Sequence, residues 1–95
     1  MSEIAWKKIG GLWTPQKAKD EIHGKLLEVN EHVGEYMSRA YIIETDEDIR
    51  TVFGSAVLDN KMRLIKVGDF VKIVYLGQRE GDKKEYKDFE VFKGA

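Results

Sequence analysis

Two short apolar runs stand in the middle of the chain, from Arg39 to Thr45 and from Ile49 to Phe53. Both are rich in the β-branched and aromatic residues that favour strands. Three consecutive acidic residues, 46–48, separate them. Two strands joined by a few turn-forming residues are typical of an antiparallel hairpin, so we predict one here.

The apolar spacing becomes helical directly after Gly54. Ser55 is a residue type that caps helix amino termini well. We predict a helix of two to three turns that begins after it, with Leu58, Met62 and Ile65 facing the core. The charged residues between these positions should stay in solvent.

A long strand is predicted to begin at Asp20, with Ile22, Gly24 and Leu26 on one face. The alternation shifts phase near Leu27 and Glu28, which indicates a β-bulge. Gly24 lacks a Cβ and would let this strand bend sharply enough to pair in both halves of a small barrel.

Two further strands are predicted after the helix. Phe70 to Leu76 is apolar on both faces, so we expect it to be covered on both sides for part of its length. Glu85 to Lys93 places Phe89 and Val91 inward. With the long strand and the hairpin, these make an all-β domain: a five-stranded Greek-key barrel with a short helix between its third and fourth strands.

Residues 1–19 show no sustained period and form an amino-terminal extension to the domain at 20–93. The extension holds both tryptophans, Trp6 and Trp13, and four lysines against one glutamate. The sequence leaves two alternatives for this extension, a mobile basic arm or a strand docked on the barrel. We favour the interpretation that Trp13 covers one barrel edge over the alternative that its ring stacks on a ligand.

Composition limits the class of protein. Ninety-five residues with 42% hydrophobic content suit a single globular domain. The chain has no apolar run long enough to cross a membrane and no secretory signal, so we expect a cytoplasmic protein. It has no cysteine, which leaves the apolar core as its source of stability.

The formal net charge of −1 argues against coating nucleic acid by charge alone. The charge is unevenly distributed, however. Lysine and arginine outnumber acidic residues by four to one in 49–66, whereas 20–48 has two basic residues against nine acidic ones. A fold that joined the basic segments could still present a positive groove.

Residue types that support catalysis are sparse. Two histidines, His23 and His32, without cysteine make a metal site improbable. The acidic cluster around 46–48 suits a solvated hairpin tip better than an acid and base pair. The sequence carries no phosphate-binding glycine loop and no nucleophile motif, so we expect neither an enzyme nor a cofactor.

Aromatic and basic residues alternate along the chain instead. Every base has a π-face, so rings spaced along a sheet can hold a single strand without reading its sequence, while cations track the phosphates. The candidate residues for nucleic-acid binding are Tyr36, Arg39, Tyr41, Arg50, Phe53, Tyr75, Lys83, Lys84 and Tyr86.

Three segments carry a resemblance to a known family: VFGSAVLDNKM, VGDFVKIVYLG and KKEYKDFEVF. Together with the order of strands and helix, they resemble the oligonucleotide-binding (OB) fold of small single-stranded DNA-binding proteins, including those of phages and the archaeal relatives of replication protein A. The resemblance covers residues 20–93. It implies base stacking by Phe53, next to Gly54, and by Tyr41 and Tyr86, and it implies replication or repair proteins and further copies of the chain as partners.

The strand that carries Phe53 has two alternative registers. Burial is the commoner fate of a large aromatic in a strand, whereas the resemblance favours an outward Phe53. The function expected first is non-enzymatic single-stranded DNA binding in replication, recombination or repair. RNA binding through the same face and a protein-interaction barrel remain alternatives.

Overall fold

The computed structural model describes residues 6–33, 38–82 and 84–94 of the chain. These residues form six strands, one short α-helix and a 3-10 turn. The elements are β1 (Lys8–Leu12), β2 (Glu21–Val33), β3 (Ser38–Glu44), β4 (Asp48–Phe53), α1 (Ala56–Lys61), the 3-10 turn (Met62–Leu64), β5 (Phe70–Glu80) and β6 (Glu85–Lys93).

The strands form one sheet in the order β1-β4-β3-β2-β5-β6. All neighbours are antiparallel except β1 and β4, which run parallel. Within the described residues β1 and β6 are not paired with each other, so the sheet is open between these two strands. The all-β class, the central hairpin and the position of the helix are confirmed, but the sheet has six strands instead of five and is not closed.

Strand β2 bends as its sequence indicates. It pairs with β5 through its first half and with β3 through its second, and its register against β3 shifts between Leu26 and Glu28. At Gly24 the carbonyl of Glu44 comes so close that a Cβ would overlap its oxygen. The predicted bulge and the need for glycine at the bend are both confirmed.

Helix α1 is shorter than predicted. Ser55 caps it, because the Ser55 hydroxyl accepts a hydrogen bond from the backbone N–H of Leu58 at 3.3 Å. The α-helical hydrogen bonding stops at Lys61 and continues only as the 3-10 turn. Leu58 and Met62 are buried and Ile65 packs against the core, as the spacing predicts.

The core lies between the concave face of the curved sheet and α1. Apart from two tyrosines, no polar or charged side chain is buried within the described residues. Burial of apolar surface therefore supplies the main stabilisation. The core residues are Ile22, Leu26, Tyr41, Ile43, Val52, Leu58, Met62, Val71, Ile73, Tyr75 and Phe89.

Part of the amino-terminal extension is a docked strand. Strand β1 pairs along the outer edge of β4, and the N–H of Trp13 continues the pairing by donating to the carbonyl of Thr51 at 2.8 Å. The Trp13 ring is half-buried and packs against the core. The docked alternative is confirmed for residues 8–12, and so is the interpretation that Trp13 covers an edge of the sheet.

Strand β5 is covered on both faces for part of its length, as predicted. Val71, Ile73 and Tyr75 are buried on its inner face, and Val74 and Leu76 are half-buried on the outer face. The outer face is open at the beginning of the strand, where Phe70 is 62% exposed. No helix within the described residues is both long and apolar enough to cross a membrane.

Candidate nucleic-acid interface

Phe53 ends β4 and points outward. Its neighbour Val52 is buried, whereas Phe53 is 44% exposed. Successive side chains of a strand alternate between its two faces, so Val52 points into the core and Phe53 points away from it. Of the two registers, the outward one is confirmed.

The turn after Phe53 is fixed by close packing at Gly54. A Cβ on Gly54 would collide with the carboxylate of Asp59. The N–H of Gly54 donates to the carbonyl of Arg39 at 2.8 Å, which holds the end of β4 against β3. The chain then turns into α1 through the Ser55 cap and leaves the Phe53 ring at the rim of the sheet.

Helix α1 also holds the beginning of β6. The Lys61 ammonium lies 3.2 Å from Oδ1 of Asp88 and donates to the carbonyl of Phe89. The other carboxylate oxygen of Asp88 accepts from Nε of Arg79 on β5 at 3.1 Å. Asp88 thus joins α1, β5 and β6 two residues away from Tyr86.

A groove of about 430 Å³ lies where the sheet is open. It brings together the end of β1, the turn from β4 into α1 and the beginning of β6. Phe53 and Tyr86 both line it, although they belong to strands that are not paired with each other. Its lining residues are Leu12, Trp13, Thr14, Pro15, Val52, Phe53, Gly54, Ser55, Ala56, Val57, Lys84, Glu85, Tyr86, Lys87 and Phe89.

Two aromatic residues of the groove, Phe53 and Tyr86, are exposed, whereas Phe89 in its wall is buried. Tyr86 is 38% exposed, comparable with Phe53, and its ring lies close to Gly81, where an added Cβ would be 3.4 Å from Cδ1 of Tyr86. Trp13 supplies a third, half-buried ring. The groove therefore offers π-faces from three separate segments of the chain.

The charge of the groove is slightly positive. Lys84 and Lys87 lie at its β6 side, and Glu85 is the one carboxylate among its lining residues. Behind the groove, partial burial acts to raise the pKa of Asp88, but hydrogen bonds from Lys61 and from the Phe89 backbone outweigh it, and the pKa is lowered. Asp88 therefore remains ionised and paired instead of repelling an anion in the groove.

Two predicted stacking residues are buried, which corrects their assignment. Tyr41 is 3% exposed and its hydroxyl donates to Oδ1 of Asp59 at 2.6 Å. Burial together with this hydrogen bond raises the pKa of Tyr41 far above its usual range. Tyr75 is also buried and packs on Phe89 with ring centroids 5.5 Å apart. Neither ring has a face free for a base, because both belong to the inner faces of their strands.

The two predicted arginines lie outside the groove. Nε of Arg50 is 3.0 Å from a carboxylate oxygen of Asp48, on the opposite face of β4 from Phe53. Nε of Arg39 is 3.3 Å from a carboxylate oxygen of Glu31, beside a separate cleft. The structure thus places Phe53, Lys84 and Tyr86 together and does not bring the arginines to them.

Three further predictions fall wholly or partly outside the described residues. Tyr36 and Lys83 lie outside them, as does the side chain of His32. His23 is exposed on β2. Among the described side chains there is no cluster of three or more histidine, cysteine, aspartate or glutamate residues that could hold a metal ion.

Sequence reasoning missed Lys87, which is not among the candidates, and favoured edge cover over a stacking role for Trp13. Lys87 directly follows Tyr86 in the segment that carries the family resemblance, so this adjacency was the available signal. Trp13 gave none, because its approach to Phe53 depends on the parallel pairing of β1 with β4.

Comparisons with known proteins add no assignment: no protein-family model, no curated protein and no solved structure matches this chain.

Proposed function

We propose that this protein is a non-enzymatic single-stranded DNA-binding module, acting in replication, recombination or repair, and that the groove is its binding site. One observation carries the proposal. Phe53 and Tyr86, from two strands that are not paired with each other, expose their rings into the same groove beside Lys84 and Lys87. Rings flanked by cations are the combination that holds a single strand by stacking and phosphate contacts.

The proposal includes the fold family. Strands β2 to β6 follow one another in the order of an OB fold, with α1 between the third and fourth of them, and β1 is added at the edge of β4. In that fold the second and third strands bind oligonucleotides, flanked by the loops after the first and the fourth strands. The equivalent strands here are β3 and β4, and the loop between β5 and β6 borders the groove through Lys84.

Binding in this groove would depend mainly on stacking. Each base stacked on an aromatic side chain contributes roughly 1 to 3 kcal/mol. Only two lysines line the groove, so few phosphates can be neutralised there. We expect log K to fall with log salt at a shallow slope, about −0.7 for each phosphate contacted.

The test is a comparison of ligands by fluorescence anisotropy in one buffer. Labelled oligo-dT, oligo-U and a duplex of the same length would each be titrated with the protein. We expect oligo-dT to bind more tightly than duplex, because bases paired inside a duplex cannot reach the rings of the groove. Equal affinity for the single strand and the duplex would contradict the proposal, and preference for oligo-U would redirect it to RNA.

A second function, protein binding, is favoured by one specific observation. Ile9 and Leu12 on β1 are 74% and 51% exposed and lie beside the groove at an unpaired sheet edge. An exposed edge strand with apolar side chains can accept a strand from a partner. Ile9→Lys would abolish such pairing and leave oligo-dT affinity nearly unchanged, so pull-down and anisotropy on this variant separate the two functions.

A further inference from the structure

A second aromatic and basic surface lies on the outer face of β2, β5 and β6. Phe70 and Phe92 are 62% and 43% exposed on this face. They line a shallow depression of about 690 Å³ with Lys25, Lys72 and Lys93. None of these residues lines the groove at the opening of the sheet.

The strand register sets the spacing of this surface. Lys72 of β5 lies opposite Phe92 of β6, and Lys25 of β2 lies opposite Phe70. Phe70 and Phe92 are therefore diagonal neighbours on adjacent strands, about 7 to 8 Å apart. The Lys72 ammonium sits 5.0 Å from the centre of the Phe92 ring. Each of the two phenylalanines thus lies opposite a lysine on the neighbouring strand.

The charges of this surface are suited to an anion. Within the described residues neither Lys25 nor Lys72 forms a salt bridge with a carboxylate. The Lys93 ammonium lies 3.6 Å from Oδ2 of Asp69 and forms a salt bridge with it. Four lysines line the depression against three carboxylates, Glu21, Glu44 and Asp46. Glu44 lies opposite Lys25, and Glu21 and Glu90 lie on the same face opposite Val74, whereas the strand neighbours of Lys72 are His23 and Phe92.

We propose that this Phe70–Phe92 face is a second contact surface for single-stranded nucleic acid, separate from the groove. Bases would stack on the phenylalanine rings while Lys25 and Lys72 contact phosphates. The occupant follows from the lysine between the two rings. An apolar protein partner would have to desolvate Lys72, which has no carboxylate opposite it on either neighbouring strand, whereas a phosphate would neutralise it. The inference rests on the proposed function for the class of ligand, but it concerns a different set of residues.

The test is an NMR titration of the ¹⁵N-labelled full chain with a six-nucleotide oligo-dT. We expect two groups of backbone amides to shift, one at Phe53, Gly54 and Tyr86 and the other at Phe70, Lys72 and Phe92. Phe70→Ala with Phe92→Ala should remove the second group of shifts and keep the first. Phe53→Ala with Tyr86→Ala should do the reverse.

Affinity for a longer strand gives a second measurement. A 30-nucleotide oligo-dT can reach both surfaces, so the Phe70→Ala, Phe92→Ala variant should bind it about tenfold or more weakly. Lys25→Glu with Lys72→Glu should weaken it similarly while both rings remain. Leu64→Ala is the matched control, because Leu64 is 80% exposed and lines neither surface.

The outcomes separate this inference from the proposed function. Shifts confined to the groove overturn the second surface and leave the proposed function standing. Shifts confined to the Phe70–Phe92 face support the inference and overturn the groove as the site, and no shifts at either place overturn both. Shifts of the face that depend on protein concentration without oligo-dT would assign it to self-association and overturn the inference.

Discussion

The interior rings and the groove rings of this protein lie an odd number of positions apart in strand register. Tyr41 on β3 and Val52 opposite it on β4 are buried, while the next residue of β4, Phe53, is 44% exposed. On β6 Phe89 is buried, whereas Tyr86 is exposed beside the groove. The residue type is similar in each case and the exposure is opposite. Strand parity and the position of α1, more than aromatic content, therefore decide which rings are available to a ligand.

The largest effect is expected for an interior ring. Phe89→Ala would leave a cavity beside Tyr75 and cost roughly 3 to 5 kcal/mol of folding free energy, a large share of the stability of so small a domain. Thermal and urea unfolding measure it. Tyr86→Ala, on the same strand, is the matched control and should cost much less. Equal destabilisation by the two changes would remove the distinction between interior and groove rings.

The next effect concerns binding instead of folding. Phe53→Ala should weaken oligo-dT binding by roughly 1 to 3 kcal/mol, about tenfold or more, with only a small change in melting temperature. Anisotropy and thermal melting on the same samples give both values. Leu64→Ala removes a side chain that is more exposed and lies outside the groove, so its affinity should match the wild type. A large loss of stability in Phe53→Ala with unchanged affinity would place Phe53 with the interior rings.

Tyr41→Phe tests a polar link of an interior ring. The ring stays in the core, but the hydrogen bond from its hydroxyl to Asp59 is lost. We expect a loss of about 1 kcal/mol in folding free energy, because Asp59 is partly exposed and can be hydrated instead. Oligo-dT affinity should be unchanged, since the ring has no face in the groove. Weakened binding without a change in melting temperature would restore Tyr41 to the binding site.

The smallest effect is a pH dependence of the link behind the groove. The pKa of Asp88 is lowered in the folded protein, so its pairing with Lys61 and Arg79 contributes stability above the ordinary aspartate value of about 3.9 and loses it as the pH falls through the lower folded value. Asp88→Asn removes this contribution. Urea unfolding from pH 7 to pH 2 should therefore show wild type and variant converging below about pH 3.9. A constant difference over the whole range would show that Asp88 does not act through its charge.

Much of the fold could be predicted because the relevant signals are local. The hairpin, the Ser55 cap, the bend at Gly24 and the bulge near Glu28 each follow from a few neighbouring residues. The pairing of β1 with β4 could not, because it joins segments about forty residues apart and nothing in the alternation of β1 identifies its partner. The open sheet follows from that same long-range pairing.

The candidate site was only partly predictable for a related reason. Tyr41 and Tyr75 stand in runs that are apolar on both parities, so the pattern does not decide which face is buried. The resemblance favours an outward Phe53, which the structure shows, and an accessible Tyr41, which is buried instead. Phe70 was not recognised as exposed, since both parities of β5 are apolar in sequence. Phe92 on β6 has the opposite parity to the inward Phe89 and Val91, and it is exposed as that alternation predicts.

Trp13 offers the most direct test that a single strand occupies the groove. The chain has two tryptophans, so Trp6→Phe leaves Trp13 as the sole indole, and Trp13 lines the groove beside Phe53. We predict that oligo-dT changes Trp13 fluorescence in a saturable way, and that adding Phe53→Ala moves the midpoint to about tenfold higher concentration or beyond. Unchanged Trp13 fluorescence at a concentration where anisotropy shows saturated binding would contradict the account, because the strand would then lie elsewhere on the protein.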